Sequence, residues 1–182
     1  MEQQSRPTLA LFTGSPCSGK STLAEAVAAV LGAPVLAWDW AMAGFTWCRP
    51  IQDAIKSLNR PTHRRIGWSI LANLAEAQLR HGRSVILDGV ARDDHVATVR
   101  DLARRYDPRS IVVLTTCEDR DRLCARTTNR QRATPGWHEL TWDHVGSFQW
   151  QPPSDVDHTI DTSDNSAPHA IAARILNGPR SC

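Results

Sequence analysis

Gly14-Ser15-Pro16-Cys17-Ser18-Gly19-Lys20-Ser21 carries the spacing G-x-x-x-x-G-K-S and follows directly on a short apolar run. Each fixed position has a chemical reason. Glycines at 14 and 19 permit backbone angles that turn consecutive N–H groups inward around an anion. A helix beginning near Lys20 points the positive end of its dipole at the same anion. The Lys20 ammonium reaches β/γ-phosphate oxygens, and the Ser21 hydroxyl is a ligand for Mg²⁺. Gly14, Ser15, Pro16, Cys17, Ser18, Gly19, Lys20, Ser21 and Thr22 thus form a cradle for a nucleoside triphosphate, ATP or GTP. Of the 21 basic residues only Lys20 and Lys56 are lysines and the other 19 are arginines. Where charge alone suffices the chain uses arginine. A guanidinium fork does not replace a compact ammonium inside such a loop.

A second chemical signal is Val85-Ile86-Leu87-Asp88-Gly89, an apolar run closed by a carboxylate. In an open parallel sheet that end lies where ligands bind, so Asp88 is expected beside the loop, holding the Mg²⁺ shell through water. Arg120, Arg122, Arg126, Arg130 and Arg132 cluster ahead of an irregular segment, 134–153, rich in Trp, His, Gly and Pro. A lid that closes cations over phosphates has this composition. Arg49, Arg64 and Arg65 are candidates for an acceptor's phosphate. His63, His95, His138 and His144 show no metal-ligand spacing and read as structural or exposed, and the five cysteines read as small buried residues.

The elements that must position these groups are legible from period and punctuation. Thr8-Leu9-Ala10-Leu11-Phe12-Thr13, between a proline and a glycine, reads as a buried strand. Over 20–31 the period becomes helical and stops at Gly32. Val35-Leu36-Ala37-Trp38 reads as a second strand ending at Asp39. Helices are expected over 51–58, stopped by Asn59-Arg60-Pro61, and over 62–79. A strand at 84–87 and a helix at 94–105 follow. Next come the non-alternating strand 111–115, a charged helix at 118–130, a strand at 156–160 and a helix at 168–176. Strands alternating with helices imply right-handed crossovers and a parallel sheet: a three-layer α/β domain.

With 182 residues the chain is expected to be one domain, 1–182. A net charge of +2 advertises neither nucleic acid nor membrane. No apolar run approaches the roughly 20 residues that span a bilayer, and Met1-Glu2-Gln3-Gln4-Ser5-Arg6-Pro7 has no signal-peptide core. Five cysteines without zinc spacing fit a reducing cytoplasm.

Together the phosphate loop, Leu87-Asp88-Gly89-Val90-Ala91-Arg92 and the 123–132 stretch make the chain resemble the nucleotide-kinase-like P-loop phosphotransferases. That group includes adenylate, shikimate and gluconate kinases and chloramphenicol phosphotransferase. The ending His158-Thr159-Ile160-Asp161-Thr162-Ser163 looks like theirs as well. The resemblance implies a five-stranded P-loop NTPase sheet in the order 2-3-1-4-5, with a short lid over about 131–150. It implies Arg126 near the adenine, Arg130 on the transferred phosphoryl group and Arg92 on the acceptor. Adenylate kinases carry D-G-F-P-R where this chain has Asp88-Gly89-Val90-Ala91-Arg92, and the changed centre argues against a nucleoside monophosphate acceptor. Asp39 falls where such kinases often keep an acceptor-binding carboxylate, which makes it the expected general base, with Trp40 walling the pocket. The expected activity is transfer of the γ-phosphoryl group of ATP to a hydroxyl of a small molecule, with Lys20, Asp39 and Arg130 catalytic. Two alternatives stand beside it. A polynucleotide 5′-hydroxyl kinase would use the arginines and tryptophans as a groove, against which the charge of +2 argues. A nucleotide-binding sensor or switch would bind without transfer, although no N-K-x-D guanine-reading motif is present.

Overall fold

The structure, a computed structural model, describes residues 6–130, 134–136, 139–164 and 166–178. Arg132, His138, Cys182 and part of the expected lid lie outside the described residues. In chain order the first elements are β1 (Thr8–Gly14), α1 (Lys20–Leu31), β2 (Val35–Ala37), α2 (Trp38–Ala43), a 3₁₀ turn (Gly44–Trp47), α3 (Arg49–Lys56) and α4 (Arg60–Leu79). They are followed by β3 (Val85–Asp88), α5 (Asp93–Tyr106), β4 (Arg109–Thr116), α6 (Arg120–Thr128), α7 (Trp142–Gly146), β5 (His158–Asp161) and α8 (Pro168–Asn177). The five strands form one all-parallel sheet in the order 2-3-1-4-5, as the sequence led us to expect.

β1 is buried along its whole length because it lies mid-sheet with helices on both faces. Its alternate side chains feed two separate cores. Leu9 and Leu11 join Leu87 and Val112 against Leu71 of α4 and Val96, Val99 and Leu102 of α5. Ala10 and Phe12 join Ile86, Ile111 and Val113 against Leu23 and Val27 of α1 and Ile171 and Ile175 of α8. Each such buried aliphatic side chain contributes on the order of 1.5–3 kcal/mol, so the sheet is a stiff platform for whatever leaves its edge. Register decides what leaves it together. Phe12 pairs with Asp88, Ala37 pairs with Asp88, and Gly14 pairs with Thr115. The phosphate loop, Asp88 and the start of α2 therefore emerge side by side at the carboxyl edge.

Four local differences from the sequence reading stand out. Helix α2 starts at Trp38, so the chain turns helical one residue before Asp39 instead of running on as strand. Asn59-Arg60-Pro61 starts a helix rather than merely stopping one. The Asn59 side chain accepts the Thr62 N–H at 2.9 Å and Pro61 fills the first turn, where its missing N–H costs nothing. Within the irregular stretch, Thr141 caps the short α7 by accepting from the His144 N–H. Strand β5 begins at His158, and Asp157 just before it is tied to β4: its N–H donates to the Val112 carbonyl at 2.9 Å, while its carboxylate accepts from the Val112 N–H at 2.6 Å and from Arg100 at 3.1 Å. Among the described residues no helix is long and apolar enough to cross a membrane.

Candidate active site

The loop between β1 and α1 is built by contacts that leave little freedom. A Cβ on Gly14 would stand 2.3 Å from Thr115 Oγ1 and 2.4 Å from Ser18 Oγ, so space is what requires glycine there. Gly19 has φ 87°, and Cys17 also takes a left-handed φ, 63°; such residues turn neighbouring amides to one side as an anion nest. Ser18, fully buried, hydrogen-bonds Thr115 Oγ1 at 2.7 Å, and its carbonyl accepts from Thr162 Oγ1 at 2.9 Å. The loop is thereby stitched to β4 and to the turn after β5 before any ligand arrives.

Lys20 is only 8% exposed and forms no ion pair with a described residue, an expensive state for an ammonium that an anionic ligand relieves. Asp88 sits beside it. Burial pushes the Asp88 carboxyl above the usual range, Lys20 and the Ser21 hydroxyl draw it back, and the nearby Asp39 charge pushes it up again. Asp88 Oδ1 is buried without a hydrogen-bond partner among the described residues. An orphaned carboxylate oxygen next to the Ser21 hydroxyl fits a hard cation such as Mg²⁺, which takes one or two protein oxygens and completes its shell with water and phosphate. Among the described residues no cluster of three or more His, Cys, Asp or Glu forms a metal cage, so only this sparse kind of site is available.

Two cavities open at this edge. The first, about 510 Å³, runs from Lys20, Ser21 and Thr22 past Arg126 and Arg130 to Thr162. The second, about 400 Å³, runs from Lys20, Asp39 and Asp88 to Trp38, Trp68 and Phe148. Among the described residues Lys20 alone lines both.

The structure thus places Lys20, Ser21, Asp39, Asp88, Arg126 and Arg130 around these two cavities. Arg130 Nη1 reaches Cys17 Sγ at 3.7 Å, which holds it over the loop. Trp40 is not in the cavity wall: it is 55% exposed, and Trp38 takes the place expected of it. Residues two apart share a face in a strand but point roughly 200° apart on a helix, so with both tryptophans inside α2 the indoles diverge and only Trp38 lines the cavity. Arg92 is exposed and lines neither cavity; it caps α5, where its N–H donates to His95 Nδ1 at 3.0 Å. Arg49 is solvated near Asp53, and Arg65 faces a separate hollow behind Trp68. Of the described cysteines only Cys17 is buried; Cys48 is exposed and Cys117 and Cys124 are half-buried. Sequence reasoning missed Arg60, His63, His144 and Phe148 as cavity residues. The signal was available for one pair: Arg60 and Arg64 are one helical turn apart, and only the start of α4 was misplaced.

A phosphate-loop motif at the carboxyl edge of a parallel 2-3-1-4-5 sheet, with a buried lysine and a flanking acidic strand end, defines a P-loop NTPase fold. The APS kinase of Mycobacterium tuberculosis, solved with AMPPNP and APS, superposes with a TM-score of 0.65 at 19% identity, covering 94% of this chain and 96% of that one. A gluconokinase from Sinorhizobium meliloti gives 0.58 at 16% identity, covering 94% and 87%. Shikimate kinase from Acinetobacter baumannii, in complex with shikimate, gives 0.56 at 19% identity, covering 95% and 92%. The chain belongs to the AAA domain family, whose model matches residues 9–145. No curated protein matches it in sequence.

Proposed function

We propose that this protein is an ATP-dependent phosphotransferase that moves the γ-phosphoryl group to a hydroxyl of a small-molecule acceptor. The observation that carries this reading is the pair of cavities meeting at Lys20, one lined by the phosphate loop and one by two carboxylates. The loop amides, Lys20 and Ser21 hold the triphosphate, Arg126 borders its cavity, and Arg130 reaches toward the transferred group. Asp39 takes the hydroxyl proton as the acceptor oxygen bonds to phosphorus and the bond to the β-phosphate oxygen breaks. Ser21 and Asp88 would hold Mg²⁺, which neutralises charge on the transferring oxygens. Leu140, His144 and Phe148, from the segment expected to form the lid, close the acceptor side against water. A 400 Å³ cavity suits a small molecule rather than a polymer end.

Transfer of label from γ-labelled ATP to a panel of small hydroxyl compounds, with a 5′-hydroxyl oligonucleotide alongside, tests the reading. Labelled small molecules are expected, with Lys20→Ala and Asp39→Asn each lowering kcat by about a hundredfold or more. Label on the oligonucleotide, or nucleotide binding without transfer to any compound, would overturn it.

A further inference from the structure

We propose that the acceptor is an anion, its carboxylate or phosphate gripped by Arg60 and Arg64 of α4 inside the cavity that holds Asp39; this rests on the phosphotransferase reading. Arg60 and Arg64 are four residues apart, hence neighbours on one face of the helix, and both line that cavity. Among the described residues neither guanidinium closes an ion pair or donates a hydrogen bond. That is unlike the arginines this fold uses structurally. Arg100 is forked onto Asp155 and also held by Asp157, Arg105 reaches Glu76 and Asp101, and Arg126 is bound to Thr162. Arg64 is half-buried, and its surroundings add positive charge rather than remove it. Burial lowers its pKa, as do the charges of Arg92 and Arg60, and only Asp94 opposes them. Asp94 is itself engaged by the His95 N–H at 3.0 Å.

Two guanidiniums one turn apart, unpaired among the described residues, offer the donors that a carboxylate or phosphate accepts. A cavity meant for a neutral polyol would not need two like charges that repel one another, Arg64 half-buried and Arg60 exposed to solvent. The remaining wall is flat: Trp38 and Trp68 flank the space, with the His63 ring edge-on to Trp38 at 5.3 Å. The acceptor therefore presents a hydroxyl toward Asp39 and an anionic group toward α4.

Two measurements on the full chain decide this, one independent of turnover. Saturating the nucleotide site with Mg²⁺ and AMPPNP, and following tryptophan fluorescence, one titrates inorganic phosphate, a hydroxylated carboxylic acid and its neutral amide. Anion binding is expected, the amide weaker by at least tenfold, with Arg64→Gln and Arg60→Gln each weakening the anion about tenfold or more and Arg64→Lys recovering part of it. Comparing phosphate with carboxylate tells which anion the pair prefers. No anion-dependent signal, or one that both glutamine variants leave intact, overturns the inference whatever the enzyme does. The second measurement is labelled transfer to hydroxy acids and phosphorylated alcohols against their neutral counterparts. A preference for the anionic members that falls mainly on KM is expected, and Arg64→Gln should remove it. If neutral alcohols are phosphorylated equally well, the anionic acceptor is wrong and the phosphotransferase reading survives. If anions bind but nothing is phosphorylated, the phosphotransferase reading fails and the anion site stands.

Discussion

Arg126 grips Thr162 with two donors, Nη1 to Oγ1 at 2.8 Å and Nη2 to the carbonyl at 2.7 Å. The same Thr162 hydroxyl lies 2.9 Å from the Ser18 carbonyl and 3.0 Å from that of Thr116. One threonine therefore ties the end of β5 to the phosphate loop, to β4 and to the arginine bordering the nucleotide cavity.

Replacing Thr162 by Val keeps the shape and removes the hydroxyl, leaving the buried Ser18 carbonyl and one arginine donor without that partner. Urea denaturation should show a loss of about 1–3 kcal/mol. In kinetics the effect should fall on KM for ATP, because the loop rather than the acceptor side is loosened.

Gly67 inverts a familiar rule. In a helix interior Gly→Ala ordinarily stabilises by about 0.5–1 kcal/mol. Here a Cβ would lie 2.2 Å from Trp38 Nε1 and 2.7 Å from its Cε2. Gly67→Ala should destabilise by roughly 1–3 kcal/mol and displace the indole from the cavity. Acceptor KM should rise in steady-state assays while ATP affinity, measured by calorimetry, stays the same.

A pH dependence follows from His95. This buried imidazole stacks on Trp68 at 4.5 Å and accepts the Arg92 N–H on Nδ1. Burial, aided by the Arg64 and Arg92 charges and opposed by Asp94, lowers its pKa from 6.5 to about 4. The unfolded chain then binds the proton more readily than the fold. The contribution to stability is full above about pH 6.5 and is lost as the pH falls toward about 4. His95→Gln keeps an acceptor at the same third helical position, as in a capping box, without the titration. Denaturation midpoints across this range should slope less for the variant than for the wild type.

The strands, the phosphate loop and the acidic strand end were legible because their signals are local and chemically narrow, while the strand order came from the family resemblance those motifs carry. An uninterrupted apolar run means a strand covered on both faces, and G-x-x-x-x-G-K-S serves one ligand. The acceptor wall was not. Trp38 against Trp40 turns on where β2 gives way to helix, which periodicity does not resolve. His63 and Arg60 reach the cavity through the packing of α4 over β2 and β3, and Phe148 from the 139–150 segment that lines the same space, contacts that no local pattern encodes. The roles of the glycines divided in the same way. Gly19 needs its left-handed angle, which the motif announces; Gly14 and Gly67 need room beside Thr115 and Trp38, which only the folded chain reveals.

Because the two cavities meet at Lys20, the phosphoryl group should pass directly from one ligand to the other. The stereochemistry at phosphorus reports this most directly. With ATP made chiral at the γ-phosphorus by oxygen isotopes, the phosphorylated acceptor should show inverted configuration. Retention, which requires a phosphorylated enzyme between two displacements, would contradict direct transfer across Lys20.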